Sequence, residues 1–392
     1  MSDHSHLFAR RMDQMRPSTI REILKVTAQP EVISFAGGLP APELFPVAEV
    51  KVAANTALTK YGSQALQYGP SEGVPLLREW VANEMRQRGV KTVATDVLMT
   101  NGSQQVLDLA GKLFLNPGDV VLTENPTYLA AIQAFQTFEV KFVPVPTDEN
   151  GLIPEKLPDL IRQHRPKFLY TIPNFQNPTG ITLSAARRQT LAKIAAEHKL
   201  VVVEDDPYGK LRYHGTDIPP IKHWDEAGQV LYASTFSKTI APGLRLGWVV
   251  APPEVFSRLL ILKQASDLHT SSFDQLVAYF YLTQNDQVAH LNKIRRAYGE
   301  RYGVLDEALR STMPPGFSWT KPEGGMFLWV TGPEKLDAME LLQRAIEQKV
   351  AFVPGRDFFP ADAGRNYLRL NYSNSTPERI REGVKRLAAL CK

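Results

Sequence analysis

The stretch LVVVEDDPY, residues 200–208, decides the fold. Four apolar residues run without alternation and then give way to three acids, a proline and a tyrosine. A strand open to water on one face alternates polar and apolar residues. An unbroken apolar run belongs to a strand buried on both faces, the habit of parallel sheets covered by helices. Three acids at the end of such a strand are costly to bury unless a cation, a metal or a protonated base meets them. The plainer alternative is a solvated turn that constrains one carboxylate. No histidine or second acidic cluster stands ready to complete a divalent-metal site, so none is expected.

Outward from this strand the same rhythm continues. VLMT near residue 100, VVLT near 122, VKFVPV near 143, KFLYTIP near 170, VLYAST near 232 and LGWVVA near 248 read as strands. Helix-length segments begin near Ser103, Tyr128, Pro154 and Ser184. The alternation predicts an α/β fold of three layers, a mostly parallel sheet with helices on both faces. The large unit is expected over 46–285, including helices over 47–61 and after Pro75. Residues 1–45 read as an arm, with a short helix over Ser18–Val26 and a strand broken by Gly and Pro in EVISFAGGLPAPELFP. Residues 286–392 read as a bridging helix followed by a smaller α+β unit. That unit holds FSWTKPEGGMFLWV, a helix near 336–348, VAFVPG, YLRLNYS and a terminal helix from Pro377, and it takes in part of the arm.

Composition bounds the function. With 392 residues, 43% hydrophobic and 22% charged, the chain is packed rather than disordered. A net charge of +4 without a run of like charges gives no footprint for nucleic acid or membrane. One cysteine, Cys391, allows no intramolecular disulfide and no cysteine-rich zinc site, which fits a reducing, cytoplasmic setting. No apolar run is long enough to span a bilayer, and the first residues lack the core of a secretory signal.

In sheets of this kind, ligands bind beyond the carboxyl ends of the strands. TNGSQQ, 100–105, places Gly102 and Ser103 where a helix begins; it reads as an anion site built on backbone N–H groups, or as a simple Ser103 N-cap. In TFSKTIAPGLRLGW, 235–248, partial burial would lower the Lys238 amine pKa and make it a nucleophile. Thr235, Ser237 and Arg245 nearby suit a phosphate. A lone lysine is otherwise a solvated charge. PNFQNPTG, 173–180, is either a turn or a turn that aims an Asn amide at a ligand oxygen.

Together and in this order, NPTG at 177–180, DDPY at 205–208 and TFSK at 235–238 with Arg245 seven residues on resemble the fold-type I pyridoxal-phosphate enzymes, specifically the class I/II aminotransferases. The likeness runs from about Arg16 to Leu390, and Thr235 keeps the hydroxyl of the serine often found there. The resemblance implies that Lys238 bonds the cofactor aldehyde and later carries the proton between the substrate α-carbon and cofactor C4′. It implies Asp205 on the pyridinium nitrogen, and Asn177 with Tyr208 on the phenolic oxygen. Ser103, Gln104, Thr235, Ser237 and Arg245 would hold the phosphate. Tyr128 would stack on the ring, the alternative being an ordinary core aromatic. Tyr68 in LQYGPSEG would reach the phosphate of a neighbouring subunit, which implies a homodimer with shared active sites.

On the substrate side, Arg369 in YLRLNYS resembles the arginine that grips the α-carboxylate through a planar fork, with a structural salt bridge as the alternative. Asn177 would share that contact, and Gly38 in SFAGGLP would let backbone approach the same group. The text RPSTIREILK with ISFAGGLPAPELFP resembles the 2-aminoadipate and kynurenine aminotransferase group, in which Arg21 would read a distal carboxylate or else face solvent. The implied reaction is a ping-pong transamination. Glutamate and 2-oxoglutarate form one pair, and 2-aminoadipate, an aromatic or a branched-chain amino acid supplies the other. A lyase or decarboxylase on the same scaffold is the alternative. A regulator with a separate DNA-binding module is a further one, for which a likeness beginning near residue 16 leaves no room.

Overall fold

The computed structural model describes residues 4–15, 23, 29–361 and 363–391. Its main sheet has seven strands: β1 Val97–Thr100, β2 Val120–Thr123, β3 Lys141–Pro144, β4 Phe168–Thr171, β5 Val201–Asp205, β6 Val230–Thr235 and β7 Gly247–Val250. Their spatial order is β1-β7-β6-β5-β4-β2-β3. All neighbours run parallel except around β7, which is antiparallel to both β1 and β6. That reversal has a consequence for the site. The residues before β7 arrive at the same edge as the residues after the other strands, so Arg245 meets the loop that carries Lys238.

The helices longer than one turn are α1 Val47–Tyr61, α2 Pro75–Gln87, α3 Ser103–Phe114, α4 Leu129–Gln136, α5 Leu157–His164 and α6 Ala185–His198, then α7 Pro253–Asp267 and α8 Ser272–Gln284. The starts expected at Ser103, Tyr128, Pro154 and Ser184 are present, the third as a 3-10 turn leading into α5. Helices α7 and α8 carry no expectation from the sequence. In α7 the buried positions are Leu259 and Lys263, so the apolar periodicity that announces a helix is missing. Helix α8 has the opposite defect, being apolar nearly all round, as a fully buried helix is.

Valines 202 and 203 of β5 have no exposed surface. Burying such side chains stabilises by about 1.5–3 kcal/mol each, which gives the strand a margin against the acids that follow it. The second sheet is antiparallel and has four strands, β8 Ser318–Trp319, β9 Phe327–Thr331, β10 Val353–Pro354 and β11 Tyr367–Asn371, in the order β8-β9-β11-β10. Around it lie α9 Gln287–Thr312, α10 Ala338–Glu347 and α11 Pro377–Leu390. Ile33 and Ser34 pair in parallel with Val350 and Ala351, so a segment from near the chain start is stitched into this C-terminal part. The helix expected over Ser18–Val26 lies outside the described residues apart from Ile23. Among the described residues no helix is long and apolar enough to cross a membrane.

Candidate active site

A cavity of about 560 Å³ opens at the carboxyl edge of the main sheet, and every site residue expected from the sequence lines it except Tyr68 and Arg21. Arg21 lies outside the described residues. Tyr68 is 78% exposed, its ring edge-on to His269, and takes no part in the cavity of its own chain.

One end of the cavity is built for an anion. Helix α3 begins at Ser103, but its N-cap is Gly102 and no side chain caps it, so Ser103 is not the simple cap that its position allows. The first N–H groups of an uncapped helix are natural anion donors. Gly102 sits at φ +72°, and a Cβ there would meet Nη2 of Arg245 at 2.8 Å. Glycine is therefore required for the guanidinium to lie against the turn. The Thr235 hydroxyl donates to the carbonyl of Leu246 at 2.7 Å and lies 2.9 Å from the Ser237 hydroxyl.

At the centre, Lys238 donates from Nζ to the carbonyl of Gly38 at 2.9 Å. Burial, helped by the charges of Arg245 and Arg369, lowers its pKa to about 8. The amine is not the solvated charge that a lone lysine usually is.

The three acids after the valines are all buried, so the solvated turn is excluded. Each has a separate fate. Glu204 accepts the N–H groups of Ile221 and Lys222 at 2.7 and 2.9 Å. Asp206 accepts from Arg88 at 2.8 Å, from the Tyr232 hydroxyl at 2.9 Å and from the Asn174 amide at 2.8 Å. Asp205 alone faces the cavity. Its Oδ2 accepts the Tyr170 hydroxyl at 2.9 Å, while its buried Oδ1 has no partner. Burial pushes its pKa up to about 7; the Tyr170 hydrogen bond opposes that rise and the Asp206 charge adds to it. A cation at Oδ1 would restore the anion. Among the described residues no cluster of histidine, cysteine and acids is suited to a metal.

The far end receives Arg369 from the middle of β11. Its Nη1 donates to Oδ1 of Asn177 at 2.9 Å and its Nη2 to the carbonyl of Ala36 at 2.5 Å, and its buried Nε has no partner. The guanidinium lies between the rings of Phe327 and Phe358, 4.3 and 5.1 Å from their centroids. Burial lowers its pKa to about 10, and its hydrogen-bond partners are uncharged. Arg369 is thus a buried cation held by aromatic faces and neutral oxygens, not half of a structural salt bridge. Phe327 also stands edge-on to Tyr208 at 5.8 Å, and its ring would lie 3.1 Å from any Cβ at Gly38. Tyr128 caps α4 at the cavity wall, half-buried, its pKa raised to about 12 by burial.

Sequence reasoning missed the two phenylalanines and Tyr170. Phe327 and Phe358 look like ordinary core residues in apolar text. A hydroxyl inside the apolar run FLYT, one strand away from the acids, is the signal that could have found Tyr170.

Comparison with known proteins agrees with this geometry. The family model for aminotransferase class I and II matches residues 31–387. The chain is 45% identical to an aromatic-amino-acid aminotransferase of Thermococcus litoralis over 100% of this chain and 95% of that relative. It is 43% identical to a 2-aminoadipate transaminase of Thermus thermophilus, over 99% of this chain and 97% of that one. A kynurenine aminotransferase of Pyrococcus horikoshii, solved in complex with PMP, superposes with a TM-score of 0.95 at 42% identity, over 99% of this chain and 98% of that one. The chain belongs to the class I and II aminotransferases and is a pyridoxal-phosphate-dependent transaminase.

Proposed function

We propose that this transaminase seats its cofactor with the phosphate toward Ser103, Gln104, Thr235, Ser237 and Arg245 and the pyridine nitrogen on Asp205. It then moves the amino group between an L-amino acid and a 2-oxo acid, with glutamate and 2-oxoglutarate as one pair and 2-aminoadipate, an aromatic or a branched-chain amino acid as the other. One observation carries the reading: a half-buried amine of lowered pKa and a buried carboxylate oxygen without a partner face the same cavity. The residues fit the group. An aldehyde needs an uncharged amine, a pyridinium needs an unspent carboxylate oxygen, and a phosphate needs the cradle that Gly102 keeps open.

When bound, the cofactor supplies an aldehyde that accepts an amine and a ring that draws off the electrons of the bond being broken. The remaining work belongs to side chains. Nζ of Lys238, neutral in part near its pKa of about 8, takes the proton from the substrate α-carbon and returns it on the other side of the exchange. Asp205, fixed by the Tyr170 hydroxyl, would hold the proton on the ring nitrogen. Tyr208 and Asn177 would donate toward the phenolic oxygen, and Tyr128 would cover the ring face. Arg369 turns its fork to the α-carboxylate, exchanging the neutral oxygens of Asn177 and Ala36 for an anion. The new bonds join two opposite charges in a planar fork where the old ones joined a charge to neutral oxygens, and that added attraction favours substrate. Gly38 leaves the approach open.

Leu39, Ile172 and Phe327 give the wall an apolar side that suits an aromatic or long side chain. The names of the relatives, aromatic-amino-acid, 2-aminoadipate and kynurenine aminotransferases, support the same range. Tyr68 would complete the phosphate site of a second copy of the chain. Its exposure, with that of Leu66 and Leu268, supports a homodimer. In this reading the unit over 46–285 carries the cofactor, while the arm over 1–45 and the unit over 286–392 bring Gly38 and Arg369. The single cysteine supports a reducing, cytoplasmic setting.

The test is a half-reaction panel. Glutamate, 2-aminoadipate, kynurenine, phenylalanine and leucine are added in turn to the loaded enzyme, and the absorbance of the lysine-bound cofactor is followed. It should bleach with glutamate and return with 2-oxoglutarate. A spectrum that glutamate leaves unchanged overturns the proposed pair.

A further inference from the structure

Lys263 of α7 has no exposed surface, and nothing in the reaction uses it. A buried ammonium is expensive unless every hydrogen is met. All three are met here. Nζ donates to Oε1 of Gln105 at 2.8 Å, to the carboxylate of Asp267 at 2.8 Å and to the Thr270 hydroxyl at 2.9 Å. Burial lowers its pKa, and the hydrogen bond and charge of Asp267 oppose that.

The partners all lead to the turn between β1 and α3. Oε1 of Gln105 also accepts the N–H of Asn101 at 2.9 Å. The Asp267 carboxylate accepts the side-chain amides of Asn101 and Gln105 at 2.5 and 2.8 Å. The Thr270 hydroxyl reaches the carbonyl of Met99 at 3.4 Å. On the opposite side of that turn, Gly102 lies against Arg245, and Ser103 and Gln104 line the cavity. The turn is a thin wall, with the anion end of the cavity in front and the ammonium network behind.

We propose that Lys263, with Asp267 and Gln105, is a positioning residue for the cofactor phosphate, holding residues 99–105 in the shape whose N–H groups and Arg245 receive it. This rests on the reading that this end of the cavity takes the phosphate. The network's direction argues for a positioning role. A buried pair serving the fold alone is replaceable by apolar side chains of similar size at little cost, whereas these side chains converge on the backbone of one functional turn.

The test uses the full chain freed of cofactor. It is titrated with pyridoxal phosphate, with pyridoxal, which lacks the phosphate, and with inorganic phosphate as competitor. Lys263→Met should weaken pyridoxal phosphate by about tenfold or more, the scale of losing an outer supporting partner at a metal site, and pyridoxal by less than about twofold. Inorganic phosphate should compete less well. Gln105→Leu keeps the Lys263–Asp267 pair and removes its link to the Asn101 N–H, leaving the links through the Asn101 amide and Thr270; a smaller loss with the same selectivity is expected, and it decides the matter should Lys263→Met fail to fold. Equal weakening of both ligands, or none, overturns the proposal. Arg245→Gln separates the two readings. If it lowers the preference for the phosphorylated ligand while the Lys263 and Gln105 variants do not, only the role of Lys263 falls. If it leaves that preference unchanged, the phosphate reading falls and the proposal with it.

Discussion

Asp205 and Asp206 are chain neighbours at the end of one strand, and they live in opposite worlds. Behind the sheet, Asp206 is saturated by Arg88, Tyr232 and Asn174, and Asn174 is in turn held by Arg188 at 2.6 Å. In front, Asp205 keeps one oxygen unused, Lys238 has a carbonyl as partner, and Nε of Arg369 has none. Buried polar groups are normally satisfied, so a set of incomplete ones facing a single cavity marks places kept for a ligand. The back of the sheet end serves stability and the front serves chemistry. The front also bears the perturbed groups: an amine lowered to about 8 and a carboxyl raised to about 7. The back bears a carboxyl held low, against its own burial, by the Arg88 guanidinium.

Substitutions on the two sides should therefore fail differently. The largest effect belongs to Lys238→Ala, expected to lower kcat by about 10⁴-fold or more, since it removes the proton carrier and the tether together. Its melting temperature should stay level or rise, because a half-buried amine whose surroundings resist its charge is removed. A large loss of melting temperature would make Lys238 part of the scaffold.

Next come the paired changes at the acids. Asp205→Asn should cost kcat about 10²-fold or more with little change in melting temperature. Asp206→Asn should do the reverse. It strips Arg88 of its counter-charge, and breaking a buried pair from one side costs about 3–5 kcal/mol, toward the lower end here because Arg88 is 19% exposed. Thermal melts and single-turnover rates on both variants separate the outcomes. Two variants that lose activity and melting temperature in the same proportion would erase the distinction between front and back.

Much of this was legible in the sequence, and the limit of legibility is physical. Strands β1 to β7 announce themselves because an apolar run between Gly and Pro breaks is local information, and the loop motifs NPTG, DDPY and TFSK sit where those runs end. The fates of the acids were not legible. Nothing local in EDD tells which carboxylate meets Arg88, because the arginine lies far away on the chain, just beyond α2. The Phe327 and Phe358 faces around Arg369 are hidden for the same reason: they come from β9 and from the turn after β10. Helix α7 was missed because a buried lysine breaks the pattern that reveals helices, and that break is what marks its role behind the turn at 99–105. The two readings of Ser103, anion site or N-cap, could not be separated in sequence, because the choice turns on Gly102, which takes the cap position at positive φ without a side chain.

The smallest expected effect tests the electrostatics of the front directly. Free Lys238 reacts with an aldehyde only when neutral, so cofactor capture by the stripped enzyme should speed up about tenfold per pH unit below its pKa and level off above about 8. An ordinary lysine would level off near 10.5. The sign is fixed by burial: it disfavours the ammonium, so the folded chain releases this proton at lower pH than the unfolded one. Arg369→Gln removes one of the two positive charges that add to this depression and should move the midpoint upward by a fraction of a pH unit, slowing capture near neutrality. Most of the depression should remain, because burial is its leading cause. Asp206→Asn, working behind the sheet, should leave the midpoint where it is. Stopped-flow capture rates across pH 6–10 for the three proteins read this out, and a midpoint that follows Asp206 rather than Arg369 would mean that the amine feels the back of the sheet as strongly as the front.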